Sequence, residues 1–491
     1  MTEPVRGTLE DLQPNGVASK DVIVIGAGQA GLTAALQLQL AGHRVTVLEA
    51  RMRAGGRVHT LRGKFADGLH AEAGAYFIPT YHEYVMKYIN RYNLQLDPVP
   101  PRDLGTLMYV RGQRMQANEE GDYGRWPMDF TEEEQKGGMQ ELLHRYIGDI
   151  AEKIGDVSDP NWPPAELEQY DEMTMPELLE ARGASPEAAH LLNSIFFNVW
   201  GDGSHRTSAL FCLEQYENYA HLSAEEGAEA AEPADEGALP AWTNVRGGND
   251  TLPTKIAEEI GDCIQFGAEV LQIEHSPHSV GVIYRKNGQT LRVTADHVIS
   301  AIPFSCLNEI EITPPLTATK RYAIANMKQT SLVHVFLQTS SRFWENTGRP
   351  ALGQTDLPVL TMFRDAAYHQ KTRRGILDAC AMGAPARNLA AMPLDDRIAY
   401  AANHLERLFP GLSDHLDGGV WWNWDDERFS RGAHETYEPG QYLRIKPHLA
   451  RPEGRFHFAG AATSHESGWQ NGAMMSGHRT AREVHEYNES Q

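Results

Sequence analysis

Residues 21–49, DVIVIGAGQAGLTAALQLQLAGHRVTVLE, decide the fold of the first part of this chain. The β-branched run at 21–25 is typical of a buried parallel strand, and a helix-forming apolar stretch follows the glycines. A second strand then ends at Glu49. A lone GxGxxG motif would be weak evidence, but strand, glycine-rich turn, helix, strand and acid in this order predict a βαβ unit that binds a dinucleotide.

The three glycines and the acid have separate physical roles in such a unit. Gly26 allows the tight turn, and Gly28 lets the backbone approach a pyrophosphate. Gly31 lets the helix pack closely against the strand. The positive end of the helix dipole faces the phosphates, and Glu49 is placed to accept hydrogen bonds from a ribose.

The residues after Glu49 favour a flavin dinucleotide over NAD. The sequence continues ARMRAGGRVHT over 50–60, with two glycines and Arg57 directly after the ribose acid. Here the chain resembles the flavin amine oxidase family, which includes monoamine, polyamine and L-amino-acid oxidases and carries a GG-R-x-x-T signature at this place. The resemblance implies FAD as the cofactor, with Arg51 and Arg57 along its phosphates and ribityl chain.

A second motif near the C-terminus strengthens the resemblance. Residues 454–477, GRFHFAGAATSHESGWQNGAMMSG, indicate a strand, a turn and a glycine-faced helix. The closing helix of the family has this form, and its positive N-terminus points at the pyrimidine end of the flavin, where it stabilises the anionic reduced form. The chain departs from the family at Ala461, because members commonly have a glutamate there that binds the ribityl chain. We therefore expect one FAD anchor fewer.

The resemblance also implies the remaining FAD contacts. In the family, the backbone near Val270 contacts the adenine, and a tryptophan in the position of Trp424 lines the flavin. The expected FAD contacts are Gly26, Gly28, Gly31, Glu49, Ala50, Arg51, Gly56, Arg57, Gly74, Ala75, Val270, Trp424, Gly460, Ala461, Gly468, Trp469 and Gln470. Because Ala433 replaces the cysteine that binds flavin covalently in mammalian monoamine oxidases, we expect non-covalent FAD.

The whole chain is expected to form an α/β protein with a discontinuous FAD-binding domain. This Rossmann-like domain would comprise residues 18–80, 243–325 and 450–491, and a hairpin is predicted at Asn287-Gly288. Residues 81–129 and 326–449 would form a mixed-sheet substrate-binding domain, with strands at 331–337, 375–382 and 417–424. Residues 130–200 are rich in helix formers, so we expect residues 130–242 to form a helical region that contains an acidic loop at 223–239.

Composition excludes several classes of protein. The chain has 491 residues, of which 44 are basic and 66 acidic, a net charge of −22 that argues against nucleic-acid binding. Its four cysteines show no CxxC spacing, and no metal site is expected. The first twenty residues do not resemble a signal peptide, and the sequence has no long apolar run. We expect a cytoplasmic protein without membrane contact, and family members often form homodimers.

Three residues are expected to act next to the flavin. By the resemblance, Trp469 and His434 form two walls of an aromatic cage over the isoalloxazine. Aligned on RFWEN at 342–346, His334 takes the position where most members have a lysine that holds a water molecule near flavin N5. Lys328 lies six residues upstream, too far along a strand to replace that lysine without rearrangement. A histidine that titrates near neutrality could hold that water or act as a base. A histidine with a structural role in the sheet is the alternative.

The substrate is expected to be an amine without a carboxylate. L-amino-acid oxidases bind the carboxylate with an arginine and a tyrosine, but these positions hold Phe77 and Cys380. A buried carboxylate without a cation is costly, and Tyr76 and Phe77 suit a bulky or aromatic amine. The net negative charge weakly favours cations over carboxylates. Overall similarity instead favours an L-amino acid, whose carboxylate would need another cation such as Arg364 or Arg206.

Two further classes share both nucleotide motifs. An FAD-dependent desaturase or isomerase would have the same cofactor site without producing hydrogen peroxide. A redox-inactive flavin-bound module is also compatible with the unusual residues Ala461 and His334. Otherwise the expected reaction converts an amine, O2 and water to a carbonyl compound, ammonia and H2O2 through an imine.

Overall fold

The computed structural model describes residues 9–99, 107–116, 124–136, 138–157, 159, 161–197, 200–217, 242–347, 351–358 and 360–488. Its strands are β1 Asp21–Ile25, β2 Arg44–Glu49, β3 Thr60–Leu61, β4 Ala71–Glu72, β5 Ile78–Pro79, β6 Leu96–Pro98, β7 Leu107–Val110, β8 Gln113–Gln116, β9 Trp242–Val245, β10 Ile264–Phe266, β11 Glu269–His275, β12 Val280–Lys286, β13 Gln289–Ala295, β14 His297–Ser300, β15 Glu311–Thr313, β16 Lys328–Gln329, β17 Leu332–Thr339, β18 Leu352–Thr355, β19 Met362–Asp365, β20 Gly375–Met382, β21 Leu416–Asn423, β22 Glu435–Thr436 and β23 Phe456–Phe458.

Its α-helices are α1 Gln29–Leu40, α2 Glu83–Arg91, α3 Met139–Leu143, α4 Asp149–Ala151, α5 Met175–Ala181, α6 Pro186–Leu191, α7 with residues 209–217, α8 Thr251–Ile260, α9 Phe304–Leu307, α10 Ala318–Asn326, α11 Gly383–Ala390, α12 Leu394–Leu408, α13 Leu412–His415, α14 Tyr442–Leu449 and α15 Gln470–Glu486. Short 3₁₀ helices cover Ala66–Gly68, Glu134–Lys136, Ala165–Glu172, Gly261–Cys263, Phe343–Thr347 and Ala461–Thr463, and π-helical turns cover His144–Gly148 and Leu192–Phe196.

A five-stranded parallel sheet carries the predicted dinucleotide-binding unit. Its strand order is β10-β2-β1-β14-β23, and every neighbouring pair is parallel. In this register Val22 pairs with Val45 on one side and with His297 on the other. The early, middle and C-terminal parts of the chain all contribute strands, so the prediction of a discontinuous dinucleotide fold is confirmed.

A four-stranded sheet lies next in sequence, in the order β13-β12-β11-β15. The predicted hairpin is present, because β12 and β13 pair antiparallel around Asn287 and Gly288. Both residues have positive φ, 50° and 76°, which suits the primed turns that join two-residue hairpins.

The second large sheet is mixed, as predicted. Its order is β21-β17-β20-β19-β18-β7-β8, and it includes all three strands expected at 331–337, 375–382 and 417–424. The β18–β7 pair is parallel and the other pairs are antiparallel. The strand β17 lies between β20 and β21, and this central position places its side chains in the interior.

The described parts of the region at 130–217 contain short helices joined by turns and loops, in agreement with the predicted helical region. The helix α5 begins with a capping box, in which the Thr174 side chain and Glu177 satisfy each other's backbone N–H groups. The acidic loop predicted at 223–239 lies outside the described residues.

The helices α1 and α15 cross closely beside the parallel sheet. A Cβ atom at Gly477 of α15 would lie 2.5 Å from the carbonyl oxygen of Ala30 in α1. Only a residue without a side chain permits this approach. The crossing joins residues more than 400 positions apart and aligns the two helix N-termini beside one cavity.

Candidate active site

A cavity of about 460 Å³ lies at the carboxyl ends of the parallel strands, where open α/β sheets bind ligands. Its wall includes nearly every residue that the sequence assigns to FAD. These residues are Gly26, Gly28, Glu49, Ala50, Arg51, Gly56, Arg57, Gly74, Ala75, Val270, Trp424, Gly460, Ala461, Gly468, Trp469 and Gln470. The fold thus gathers five separate parts of the sequence around one cavity.

Gly31 is the expected contact that the cavity wall does not include. It instead packs inside the βαβ unit, where a Cβ atom would lie 2.0 Å from the carbonyl oxygen of Gly26. This is the helix–strand packing that the motif predicts for its third glycine. Gly31 therefore allows α1 to pack closely against the turn at Gly26, and it does not line the cavity.

The N-terminus of α1 opens onto the cavity. The helix begins at Gln29, and Gly28 in the N-cap position supplies no side chain to cap it. The first N–H groups of an α-helix have no partner inside the helix and carry the positive end of its dipole. This end of the cavity can therefore bind the diphosphate of a dinucleotide.

Glu49 lies buried at the end of β2 and holds the turn together. One carboxylate oxygen accepts the Ala27 N–H at 2.7 Å, and the other accepts the Arg51 N–H at 2.7 Å. A carboxylate has acceptor capacity beyond two hydrogen bonds, so Glu49 can also accept from a ribose hydroxyl. The Arg51 guanidinium pairs with Glu427 at 3.2 Å and donates to Ser430 at 2.9 Å.

Arg57 links two walls of the cavity. Its guanidinium donates to the side chain of Gln329 and to the carbonyl oxygen of Ala433, the residue before His434. On the same side, the Trp424 indole is 1% exposed and donates to the carbonyl oxygen of Ala73 at 2.6 Å. These bonds fix the 73–75 and 433–434 segments, which both contribute residues to the cavity wall.

The two expected cage residues both line the cavity. Gly468, which precedes Trp469, packs against His434, since a Cβ atom on this glycine would lie 3.7 Å from the His434 Cβ. Glu435, which follows His434, connects the two segments, because its carboxylate accepts hydrogen bonds from the Gly468 N–H at 3.1 Å and from the Ser467 hydroxyl. Burial lowers the pKa of His434, which favours the neutral imidazole.

Buried Glu72 holds residues 72–76 in place, and Gly74 and Ala75 of this segment line the cavity. Its carboxylate accepts from the Thr60 hydroxyl and from the Asn249 N–H, each at 3.0 Å. The Asn249 amide in turn donates to the carbonyl oxygens of Ala75 and Tyr76 at 2.9 and 2.8 Å. Burial raises the pKa of Glu72 to about 7, against the opposing hydrogen bond from Asn249.

We predict that Glu72→Gln removes a pH dependence of stability. The pKa of Glu72 is about 4.5 in the unfolded chain and about 7 in the folded protein. Its protonated form therefore stabilises the folded protein below about pH 4.5, and this contribution is lost as the pH rises to about 7. The wild-type protein should lose up to about 3 kcal/mol over this window through Glu72. Urea unfolding at pH 5 and pH 8 measures the change in the free energy of unfolding between these pH values, and the exposed substitution Glu168→Gln should keep the wild-type change.

The expected substrate residues Tyr76 and Phe77 lie beside the cavity but do not form its wall. Their rings contact edge to face, with centroids 4.8 Å apart, and Phe77 contacts Trp242 at 5.3 Å. Trp242 in turn approaches Trp469, with centroids 6.2 Å apart. A continuous series of aromatic rings therefore leads from Tyr76 to the cage. Sequence reasoning missed Trp242, since it lies in β9, far from any motif.

His334 is 3% exposed and belongs to a buried charged group behind the cavity. Its Nδ1 lies 3.0 Å from the carboxylate of Asp378, whose other contact is the Nη2 of Arg364 at 2.7 Å. The Arg364 guanidinium also lies over the Tyr76 ring, 3.8 Å from its centroid. His334 is thus absent from the cavity wall, which Leu332 reaches on the same strand.

Cys380 pairs with His334 across β17 and β20. It is buried in an apolar cluster with Leu332 and Trp424, both of which line the cavity. Burial raises the pKa of its thiol to about 12, so it is uncharged at neutral pH. Cys380 therefore packs behind two residues of the cavity wall and does not line the cavity itself.

A sequence profile for flavin containing amine oxidoreductases matches residues 29–485 of this chain. The chain belongs to this family. The match begins at Gln29, within the first nucleotide motif, and includes the whole second motif at 454–477 and the large mixed sheet between them. This flavin amine oxidoreductase is therefore an oxidoreductase that acts on C–N bonds, and FAD is its cofactor.

Curated relatives of the flavin amine oxidoreductase cover almost the whole chain. An L-amino-acid oxidase from Vipera ammodytes ammodytes is 28% identical over 480 residues, which cover 96% of this chain and 93% of the relative. The putative L-amino-acid oxidase YobN from Bacillus subtilis (strain 168) is 28% identical over 477 residues, which cover 95% of this chain and 94% of the relative.

Solved structures show the same fold. Putrescine oxidase bound to putrescine has a TM-score of 0.80 at 23% identity, covering 95% of this chain and 99% of that chain. Cyclohexylamine oxidase from Brevibacterium oxydans IH-35A also has a TM-score of 0.80 at 23% identity, covering 96% of this chain and 99% of that chain.

The residues of the flavin amine oxidoreductase fit FAD. Gly28 and Gly56 have no side chains and lie next to each other on the cavity wall, which leaves room for a diphosphate. Gln29 and Gln470 also line the cavity, and each has one buried amide atom without a hydrogen-bond partner among the described residues. Among the described residues, no helix is both long and apolar enough to cross a membrane. Within the same residues, no group of three His, Cys, Asp or Glu side chains could hold a metal ion.

Proposed function

We propose that this flavin amine oxidoreductase oxidises bulky or aromatic primary amines that lack a carboxylate. The observation that carries the proposal is the aromatic lining beside the cage, in which Phe77 contacts Tyr76 and Trp242. Such a surface binds an apolar side chain by burial, and aromatic faces also attract an ammonium group. Phe77 offers nothing that would pair with a carboxylate.

The charges near this lining support the same substrate class. Arg364 is the buried cation beside Tyr76, and Asp378 opposes its charge at 2.7 Å. Arg206, the other cation considered for a carboxylate, is half exposed and pairs with Glu438 at 3.0 Å and Asp202 at 3.5 Å. A carboxylate would have to compete with these acids, whereas a neutral amine would not.

The protein positions and desolvates the amine. FAD supplies the redox chemistry when it is bound, accepting the hydride and passing two electrons to O2. Loss of the hydride and an N–H proton converts the amine to an imine, and water then replaces nitrogen to release a carbonyl compound and ammonia, while O2 becomes H2O2. Trp469 and His434 would hold the reacting carbon between their side chains and exclude water.

Matched substrate pairs test the proposal. We expect H2O2 formation with phenylethylamine, tryptamine and benzylamine, and at least about 100-fold lower kcat/KM with L-phenylalanine and L-tryptophan, since an unpaired buried carboxylate costs several kcal/mol. Each amino acid differs from its amine only by the carboxylate. Turnover confined to the amino acids would contradict the amine proposal while leaving the oxidase family intact.

L-amino-acid oxidation is the second candidate. The curated relatives with the full-length matches above are L-amino-acid oxidases. In addition, the buried Nε of Arg364 has no hydrogen-bond partner among the described residues, and its Nη2 contacts Asp378 without hydrogen-bond geometry. Arg364 would then hold the carboxylate. In that case Arg364→Lys should raise KM for an L-amino acid much more than KM for the matched amine.

We predict that His334 assists the oxidation by holding water or a proton. His334→Ala should slow flavin reduction by about 100-fold, the lower range for a general base. Stopped-flow reduction of the bound flavin under anaerobic conditions measures this rate. His334→Lys should recover part of the rate. Unchanged reduction with a lowered melting temperature would assign His334 a structural role only.

A further inference from the structure

The first residues of α1 and α15 meet at the cavity wall. Gln29 begins α1 and Gln470 begins α15, and their side chains are 4% and 5% exposed. The Gln29 Nε2 donates to the Gln470 Oε1 at 2.8 Å, which ties two helices from opposite ends of the chain. Both residues line the same cavity as the nucleotide glycines.

Half of each amide lacks a protein partner. Among the described residues, neither the Oε1 of Gln29 nor the Nε2 of Gln470 makes a hydrogen bond. A buried polar atom left unpaired is energetically unfavourable, so two such atoms on one cavity wall indicate a polar ligand. If both amides were reversed, the pair would still present one donor and one acceptor, so this conclusion does not depend on the amide orientation.

The chemistry of the pair matches one part of FAD. A diphosphate only accepts hydrogen bonds, so it would leave the free acceptor of the pair unmatched. A hydroxyl group both donates and accepts. The N-terminus of α1 faces the expected diphosphate site, and that of α15 follows Trp469 at the expected flavin ring. In FAD, the polyhydroxyl ribityl chain joins these two parts.

We propose that the Gln29–Gln470 pair binds the ribityl chain of FAD. The pair would supply the contact that is missing at Ala461, whose methyl group lines the same cavity and cannot form a hydrogen bond. The proposal depends on FAD occupying this cavity and not on the identity of the substrate. Failure of the amine proposal would therefore leave it unchanged.

Affinity measurements on the full-length protein test the proposal. Gln29→Leu and Gln470→Leu should each weaken FAD binding about 10-fold, the effect of a lost hydrogen bond that also leaves its partner unpaired. The double variant should lose little more than either single variant, because the two amides act as one unit. The dissociation constant and the release rate of FAD, both followed by flavin fluorescence, provide readouts that do not require turnover.

A second variant and a matched control separate binding from folding. Gln470→Glu keeps the acceptor for Gln29 and the side-chain size but loses the free donor, and it should give the same 10-fold loss. Gln39→Leu makes the same substitution in α1 at a residue that bonds to Ile260, away from the cavity, and should leave FAD affinity unchanged. FAD affinities within twofold of wild type in the Gln29 and Gln470 variants would overturn the proposal.

Two further measurements identify the part of FAD that the pair contacts. ADP contains the diphosphate but no ribityl chain, so its affinity should not change in the variants. An equal loss for ADP and FAD would assign the contact to the diphosphate and overturn the proposal. The flavin absorption spectrum and reduction potential should also remain as in the wild type, whereas a shift in either would assign the contact to the isoalloxazine ring and likewise overturn it.

Discussion

Gly28→Asp is expected to give a folded protein without FAD. Gly28 has ordinary backbone angles, φ −74° and ψ 174°, and a Cβ atom there would meet only the Gly56 Cα at 3.9 Å. The backbone can therefore accept a side chain, but because Gly28 lines the cavity, that side chain would enter the expected diphosphate site. A like charge at about 4 Å costs about 4 kcal/mol in a partly buried site, which is about 1,000-fold in affinity.

Visible flavin absorbance of the purified protein, together with circular dichroism, measures this effect. Gly138→Asp is a matched control, because Gly138 also precedes a helix with φ −82° and has nothing within 4 Å of its Cβ position. This control should retain the full flavin content. Gly28→Ala should retain FAD with weaker binding. A Gly28→Asp protein with one FAD per chain would contradict the assignment of this glycine to the diphosphate site.

The second large effect concerns the buried pair of Asp378 and Arg364. Asp378→Ala should lower the free energy of unfolding by about 3–5 kcal/mol, because it leaves the Arg364 charge buried without a partner. The side chains of these residues are 0% and 6% exposed. Urea unfolding measures the loss, with Asp417→Ala as a control that breaks the more exposed ion pair to Arg374 and should cost less than about 1 kcal/mol.

Removing both charges distinguishes electrostatics from packing. The double variant Asp378→Leu, Arg364→Met leaves no unpaired buried charge, so it should recover most of the stability that Asp378→Ala loses. If the double variant were as unstable as Asp378→Ala, loss of packing would explain the effect. The same variants should weaken catalysis, since Asp378 orients His334.

Most of the fold could be predicted because its signals are local. The run at 21–25, the glycines after it and Glu49 specify a βαβ unit within thirty residues. The hairpin at Asn287 and Gly288 follows from the conformations that these two residues adopt easily, and the structure confirms it. The expected FAD contacts depend on motifs of fixed spacing, and all of them but Gly31 lie on one cavity wall.

The contacts of the residues expected near the substrate could not be predicted from the sequence. The resemblance assigns His334 to the position of the family's lysine, but the hydrogen bond between His334 and Asp378 depends on the register of β17 with β20, which places Asp378 two residues before the partner of His334. Similarly, Trp242 joins the aromatic series only because β9 pairs with β5, which follows Phe77 directly. Such register depends on which long-range strands pair, and the local sequence does not specify it.

The sequence by itself predicted a dinucleotide site, because such a site is built from backbone glycines and helix ends whose spacing is local. The resemblance of its motifs to the flavin amine oxidase family then implied FAD. Only the tertiary structure decided how the polar side chains around that site are used. It paired Arg364 with Asp378, joined Gln29 to Gln470 and placed Glu435 between the two cage residues. The Gln29–Gln470 and Glu435–Gly468 contacts join residues far apart in the chain, and the Arg364–Asp378 contact joins two neighbouring strands. All three exist only once the sheets and helices have packed.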